Sequence, residues 1–150
     1  MKKTVGIGFL GSTLDNSGPK GDRWNRWRPT VAACWQNEFK FDRYEIWYSF
    51  KNKSLLDIVV ADIKKIAPHT DIVLRPLEMT DPWSFEEVFS KLHDFAENYH
   101  FDLENENYFI NITTGTHVAQ ICLFLLAESR HLPAKLFQLG VNRRSPDPNP

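Results

Sequence analysis

The sequence predicts an α/β fold, a doubly wound and mainly parallel sheet with helices on both faces. Five short apolar runs alternate with four segments of helical character, and this alternation is typical of parallel strands joined by right-handed crossovers. A chain of 150 residues, 42% of them hydrophobic, has room for one such domain with a single core. We therefore predict one domain over residues 1–141, followed by a short tail.

The first half of the chain begins with an apolar strand over residues 4–10. Residues 11–28 are polar, glycine-rich and too long for a simple connection, and loops of that length inside compact domains are usually functional or disordered. Pro29 suits the first turn of a helix that follows, and an amphipathic helix over residues 53–66 ends before Pro68.

The third helix has two candidate starts. Asp81 before a proline is an N-cap and first-turn pair, whereas Ser84 with Glu87 has the spacing of a capping box. Either start leads into a stripe of apolar residues of period 3.6 that runs to residue 99. The remaining predicted elements are strands at 43–48, 71–77, 108–112 and 135–141 and a helix at 116–130.

Charge and cysteine content exclude several classes of protein. With 18 basic and 19 acidic side chains the net charge is -1, which excludes a globally basic nucleic-acid binder. Cys34 and Cys122 lie in apolar runs without C-x-x-C spacing, so we expect two core residues in a reducing compartment rather than a disulfide or zinc scaffold. The sequence shows no signal peptide and no apolar run of about 20 residues, so the expected location is the cytoplasm without membrane contact.

Three glycines spell the dinucleotide-binding pattern G-x-G-x-x-G at Gly6, Gly8 and Gly11. That pattern requires a strand before it and a helix that opens on it. Here the glycines fall within the strand itself and no helix begins before about residue 28. We therefore predict no dinucleotide and no other cofactor.

The turn after the fourth strand is the strongest candidate binding site. Thr113, Thr114, Gly115, Thr116 and His117 lead from an apolar strand directly into a helix, and a helix N-terminus with unpaired amides suits a phosphate. Helix capping by a threonine would produce the same pattern. If the strand order is 3-2-1-4-5, this turn and the loop at 11–28 flank the switch point of the sheet, where open α/β sheets bind ligands.

The long loop carries a local positive charge. Arg23, Arg26 and Arg28 interleave with Trp24 and Trp27, a composition that suits stacking on bases and gripping phosphates of an RNA or oligonucleotide. The alternative is that the tryptophans fasten the loop to the core. At the start of the same loop we place Gly11, Ser12 and Thr13 among the ligand-binding residues.

Two further patterns concern assembly and metals. The helix at 116–130 is apolar nearly all round, so a neighbouring helix or a second subunit must cover it, and we predict a homodimer. His93 and Glu97 have the i, i+4 spacing of metal ligands. No third ligand is recognisable in the sequence, so we assign them to a solvated helix face and predict no metal site.

Five segments together resemble a known family. Residues 8–15 (GFLGSTLD), 23–29 (RWNRWRP), 81–83 (DPW), 92–95 (LHDF) and 112–122 (ITTGTHVAQIC) are similar to the N-terminal sensor domain of the RtcR family of sigma-54-dependent transcriptional regulators. That sensor is a CARF domain, a Rossmann-like fold. The resemblance implies a dimer that binds cyclic oligoadenylates or related RNA species between its subunits.

The resemblance also implies a function. In the family the sensor precedes an AAA+ ATPase and a helix-turn-helix domain, so residues 142–150 are expected to be a proline-rich linker. Contacts with DNA and sigma-54 RNA polymerase are expected only through those further domains. The expected ligand is an RNA end with a 2′,3′-cyclic phosphate, without catalysis by this domain. Two alternatives stay open: a metal-independent ring nuclease with His117 as general base, and a ligand-free dimerisation module that restrains the ATPase.

Overall fold

A computed structural model describes residues 1–12, 15–16, 22–36, 38 and 40–140 of the chain. The described residues form a five-stranded sheet of order β3-β2-β1-β4-β5, and every pair of neighbouring strands is parallel. The predicted fold class is confirmed. The strands are β1 (Lys3–Phe9), β2 (Arg43–Tyr48), β3 (Asp71–Pro76), β4 (Glu106–Asn111) and β5 (Lys135–Phe137). The helices are α1 (Pro29–Ala33), α2 (Lys53–Ile66), α3 (Phe85–Asn98) and α4 (His117–Glu128).

Two apolar clusters, one on each face of the sheet, show that helices cover both faces. One face packs under α3 and α4, and the other packs under α1 and α2. Successive residues of a strand point to opposite faces, so β2 contributes to both clusters, whereas β1 contributes Val5 and Ile7 to the first and faces the second with Gly6 and Gly8. The first cluster contains Val5, Ile7, Trp47, Leu92, Ile110 and Leu123, and the second contains Val31, Tyr44, Ile46, Leu56 and Ile63.

The structure shortens the predicted fifth strand and settles the start of α3. β5 ends at Phe137 because the amide of Leu139 donates to the Thr113 hydroxyl at 2.8 Å instead of to a neighbouring strand. α3 begins after Ser84, whose hydroxyl accepts from the amide of Glu87. The Glu87 carboxylate accepts from the amides of Thr80 and Asp81, which orders the turn before the helix. The predicted tail at 142–150 lies outside the described residues.

The glycines of β1 serve packing. A Cβ atom on Gly6 would lie 2.6 Å from the rings of Phe41 and Tyr44, and one on Gly8 would lie 2.7 Å from the Tyr44 hydroxyl oxygen. Both glycines therefore make room for aromatic side chains on the α1 and α2 face of the sheet. This explains the G-x-G pattern without a dinucleotide.

A buried carboxylate network lies at the amino-terminal end of the sheet. Glu45 in β2 is fully buried and forms ion pairs with Arg43 at 3.1 Å and Arg75 at 2.7 Å. It also accepts a hydrogen bond from the Tyr99 hydroxyl. Arg43 also pairs with Glu106 in β4 at 2.6 Å, so the network joins three strands to Tyr99, the residue that follows α3. Among the described residues, no helix is long and apolar enough to span a membrane.

Candidate ligand-binding cleft at the switch point

A cleft of about 480 Å³ opens at the carboxyl ends of β1, β2 and β4. This volume falls in the range of small-molecule sites, and the position is the switch point between β1 and β4. Its lining comes from the ends of four strands and from the first turn of α4. The lining residues include Phe9, Gly11, Ser12, Trp47, Lys51, Asn52, Met79, Trp83, Thr113, Thr114, Gly115, Thr116 and His117.

The threonines of the β4–α4 turn hold the turn in place. The Thr114 hydroxyl, 2% exposed, donates to the carbonyl of Phe9 at 2.6 Å and so joins the turn to the end of β1. The Thr116 hydroxyl caps α4 by accepting from Ala119 and donates to the carbonyl of Pro82 at 2.9 Å. The capping alternative is thus correct for Thr116, although both threonines also line the cleft.

Gly115 gives the turn its shape. Its φ of +94° lies in the region that favours glycine, and an added Cβ would lie 3.4 Å from the side chains of Phe9 and Ala119. The chain can then enter α4 with its first amides pointing out of the helix. Among the described residues, no acceptor pairs with the backbone amides of Gly115, Thr116, His117 and Val118.

The start of the long loop is fastened by Asp15. Its carboxylate, 1% exposed, accepts from the amide of Gly11 at 2.6 Å and from the amide and hydroxyl of Thr30 at 3.0 and 2.5 Å. Burial raises the pKa of Asp15, and the hydrogen bonds from Thr30 and Gly11 oppose that rise. A Cβ on Gly11 would lie 3.0 Å from this carboxylate and 3.1 Å from Thr114, so the glycine allows the loop to approach the turn.

The arginines of the loop are not among the described residues that line the cleft, and their part in ligand binding stays a prediction. Arg28 is buried and donates to the Asp62 carboxylate on α2 at 2.7 Å, and Arg23 donates to the same carboxylate at 2.7 Å. Arg26 is exposed, and it too is absent from the residues that line the cleft. A buried guanidinium requires a counter-charge, and the Asp62 carboxylate on α2 supplies one.

The sequence left two roles open for the tryptophans of the loop, stacking on a ligand or fastening the loop to the core. The contacts of Trp24 favour the second role. The Arg28 guanidinium lies 5.0 Å from the Trp24 ring centroid and that of Arg23 lies 5.6 Å from it. Trp27 is half-buried, and neither tryptophan lines the cleft. Arg23 and Arg28 therefore fasten the loop to α2, and the Trp24 ring packs against both guanidinium groups. Of the predicted residues, Thr13 lies outside the described part of the chain.

Several cleft residues escaped the sequence analysis. Lys51 and Asn52 follow β2, and Trp83 precedes α3 with 62% of its surface exposed. Trp47 lies in the lining with 1% of its surface exposed, and its indole Nε1 has no acceptor among the described residues. Position after a strand could have identified three of these residues, because the carboxyl ends of parallel strands all lie at the same edge of the sheet. Lys51, Asn52 and Trp83 each follow the end of such a strand.

One side of α4 is apolar and exposed. Ile121 and Phe124 are each 53% exposed and Leu125 is 41% exposed, although all three side chains are large and hydrophobic. Their i, i+3, i+4 spacing puts them on one side of the helix. The predicted all-round apolar character of α4 is therefore present, and α3 covers only part of it.

Comparison with solved structures defines the class of fold. The chain matches Csm6 of Enterococcus italicus, solved with cyclic hexa-2′-fluoro-hexa-dAMP, with a TM-score of 0.72 over 97% of this chain and 36% of that one, at 14% identity. It matches Can2 of Sulfobacillus thermosulfidooxidans, solved with cyclic tetra-adenylate, with a TM-score of 0.59 over 91% and 32% of the chains, at 15% identity. The fold is thus the Rossmann-like α/β fold of CARF domains.

Sequence comparison then defines the family. The family model described as "Regulator of RNA terminal phosphate cyclase", RtcR, matches residues 2–149, and the chain belongs to this family. It is 47% identical over 148 residues to the transcriptional regulatory protein RtcR of Escherichia coli (strain K12). That match covers 99% of this chain and 28% of the relative, so the chain spans under a third of that protein.

Proposed function

We propose that this chain is the ligand-sensing domain of a sigma-54-dependent activator of RNA-repair genes. Its ligand is a short RNA ending in a 2′,3′-cyclic phosphate or a cyclic oligoadenylate. Family membership supports the regulatory role, and the two similar folds were solved with cyclic oligonucleotides. The observation that carries the proposal is the cleft at the switch point, where the amides at the start of α4 have no acceptor among the described residues.

The phosphate would bind at the first turn of α4. Four backbone amides without acceptors and the positive end of the helix dipole favour an anion there. Lys51 and His117 line the same cleft, and its described lining contains no aspartate or glutamate. Lys51, His117 and the start of α4 together favour a phosphate group, while the nearby Glu78 carboxylate is held outside the lining by hydrogen bonds from Ser49 and the amide of Phe50.

The bases would lie on the aromatic side of the cleft. The exposed indole of Trp83 provides a stacking surface at the mouth, and stacking of this kind contributes about 1–3 kcal/mol per base. Trp47 also lines the cleft, but its side chain is 1% exposed and its Nε1 is buried, so it forms a wall of the cleft and Trp83 offers the stacking surface.

A homodimer through α4 completes the proposal. Ile121, Phe124 and Leu125 leave an apolar stripe exposed, and exposed stripes of this kind mark interaction sites. Because α4 begins at the cleft, a two-fold axis along this face would bring two clefts together around one ligand. Ile121→Asp should then convert a dimer to a monomer in multi-angle light scattering, and an unchanged mass would contradict this interface.

The test is a fluorescence-anisotropy titration at physiological salt. The probes are a labelled oligoribonucleotide ending in a 2′,3′-cyclic phosphate, the same oligonucleotide ending in a hydroxyl, and cyclic tetra- and hexa-adenylate. We expect one cyclic-phosphate or cyclic-oligonucleotide probe to bind at least tenfold more tightly than the hydroxyl-ended control. Equal binding of all probes would refute ligand sensing and leave the ligand-free dimerisation module.

Matched variants locate the contact. Lys51→Ala and His117→Ala should each weaken binding by roughly 10- to 100-fold, the effect of one charge-assisted hydrogen bond. Lys64→Ala removes an exposed lysine on α2, outside the cleft lining, and should leave the affinity unchanged. Equal effects of all three variants would show non-specific attraction rather than a site.

A ring nuclease is the second candidate function, and one observation favours it. His117 is exposed and lies in the cleft at the helix terminus proposed to hold phosphate, where an imidazole can deprotonate a ribose 2′-hydroxyl. Incubation of cyclic tetra-adenylate with the chain, followed by chromatography, separates the two functions. Linear product that is lost in His117→Ala supports the nuclease, and an intact ligand supports sensing. DNA and sigma-54 RNA polymerase contacts are proposed for the whole protein only.

A further inference from the structure

A cluster of three side chains lies at the opposite end of α4 from the cleft. His93 and Glu97 on α3 are joined there by His131, which follows α4 in the sequence. One nitrogen of each imidazole and one carboxylate oxygen lie within 4.8 Å of one another. We propose that these three residues form a binding site for Zn²⁺, and this proposal is independent of the ligand in the cleft.

The ligand set has the chemistry and the spacing of a zinc site. Zn²⁺ takes imidazole nitrogen and carboxylate oxygen at about 2.0–2.2 Å in a tetrahedral arrangement, which separates neighbouring ligand atoms by about 3.4 Å. His93 Nε2 already lies 3.6 Å from Glu97 Oε1, and the two imidazole centroids are 4.9 Å apart. Small side-chain rotations would bring the three atoms onto one ion, with water as the fourth ligand.

A hydrogen bond orients the ring of His131. Its Nδ1 lies 2.8 Å from the Ser129 hydroxyl oxygen. In the tautomer in which Nδ1 donates to that oxygen, Nε2 keeps the lone pair that a metal ion needs. Metal-binding histidines are usually oriented by such a hydrogen bond from the other ring nitrogen.

The ring of His93 is also held in place. It stacks on Phe89 with centroids 6.1 Å apart, and Phe89 in turn stacks on Phe85 at 5.7 Å. The His93 side chain is 35% exposed and that of Glu97 is 59% exposed, so an ion can enter from solvent. Zinc bound here would link α3 to the turn after α4 and thereby fasten the two helices that cover one face of the sheet.

The sequence alone did not indicate this cluster. His93 and Glu97 showed metal-ligand spacing without a third ligand, and the third comes from a residue 34 positions beyond Glu97 in the chain. The assignment of these two residues to a solvated helix face is therefore incomplete. The described structure shows that α3 faces the turn after α4, and this packing creates the cluster.

The test is an isothermal titration of Zn²⁺ alone into the chelator-treated, tag-free chain. We expect one equivalent to bind, and we expect His131→Ala and Glu97→Gln to abolish this stoichiometric binding. Ser129→Ala should weaken it by roughly 10-fold or more, because it removes the partner that orients His131. His69→Ala, an exposed histidine between α2 and β3, should bind as the wild type does.

Two outcomes would overturn the proposal. The first is a wild-type chain that binds no stoichiometric Zn²⁺, and the second is binding that persists unchanged in His131→Ala and Glu97→Gln. Circular dichroism in the presence of chelator shows that each variant is folded, and Glu97→Gln changes an exposed side chain with little effect on packing. A rise in the thermal midpoint with Zn²⁺, present in wild type and His69→Ala but absent in His131→Ala, is a second readout.

Discussion

Replacing Asp62 with alanine tests the role that the structure gives to the basic loop. Asp62 is 1% exposed and accepts hydrogen bonds from both Arg23 and Arg28. If the arginines hold the loop against α2, the variant loses stability. If they instead serve the ligand, the variant loses affinity, so stability and affinity must be measured separately.

The size of the effect follows from the burial of Arg28. Its side chain is 1% exposed, and Asp62 is the carboxylate with which it pairs in the described structure. Removing one partner of a buried ion pair costs about 3–5 kcal/mol because the other charge stays buried without compensation. Folded domains are stable by about 5–15 kcal/mol in total, and each kcal/mol shifts the midpoint of a domain this size by about 2–4 °C. We expect Asp62→Ala to lower the thermal midpoint by about 10 °C.

The assay is urea and thermal unfolding followed by circular dichroism, with Asp57→Ala as the matched control. Asp57 lies on the same helix and pairs with Lys53 at 2.6 Å, but its side chain is 63% exposed. Exposed pairs of this kind contribute little to stability, so the control should unfold almost as the wild type does. Folded Asp62→Ala should bind the cleft ligand with an affinity within about twofold of wild type, since neither arginine lines the cleft.

Two results would refute this account. One is a decrease in the free energy of unfolding below about 1 kcal/mol, which would mean that Arg28 finds another partner or reaches solvent. The other is a loss of ligand affinity without loss of stability, which would restore Arg23 and Arg28 to the binding site.

Three further predictions follow from burial and from one ion pair. Gly8→Ala should lower the free energy of unfolding by about 1–3 kcal/mol in urea, because its Cβ would lie 2.7 Å from the Tyr44 hydroxyl; an unchanged midpoint would contradict the packing. The Arg43 guanidinium lowers the pKa of Glu106, so stability present at neutral pH should be lost as the pH falls below about 4, through the lowered pKa of the folded state. Glu106→Gln should make that loss shallower in acid titrations, and identical pH profiles would contradict it. Burial raises the pKa of the Cys122 thiol, so iodoacetamide should alkylate it at pH 7.5 only after unfolding, as mass spectrometry would show; rapid alkylation of the folded chain would exclude a buried thiol.

The fold was accessible from the sequence because its evidence is local. Apolar period and capping residues identify each element without knowledge of the others, as Ser84 and Thr116 show at the starts of α3 and α4. The rules for parallel sheets limit the possible strand orders, and the structure shows which of them this chain adopts. The β4–α4 turn of the cleft was recognisable for the same reason, because a strand, a glycine turn and a helix start follow one another in the chain.

The remainder of the site depended on distant contacts. Lys51 and Trp83 reach the cleft from two other strand ends, and His131 meets His93 only through the packing of the α4 end against α3. Local composition cannot indicate which of several loops meet, nor which of their side chains turn inward. A sequence pattern therefore shows what chemistry a candidate residue can perform more readily than it shows which residues lie next to it.

The basic loop shows how this limitation affects the interpretation of charge. A count of charges over residues 17–29 gives an excess of +3, and an excess of arginine beside tryptophan is typical of nucleic-acid binding. The count omits Asp62, 34 positions beyond Arg28, whose carboxylate accepts hydrogen bonds from Arg23 and Arg28. A buried arginine indicates a buried partner before it indicates a ligand, since the cost of desolvating a guanidinium must be met whether or not a ligand is bound. Charge excess in a loop is therefore evidence for an anion site only when the arginines line a cavity, and here the cavity instead has Lys51 and the N-terminus of α4.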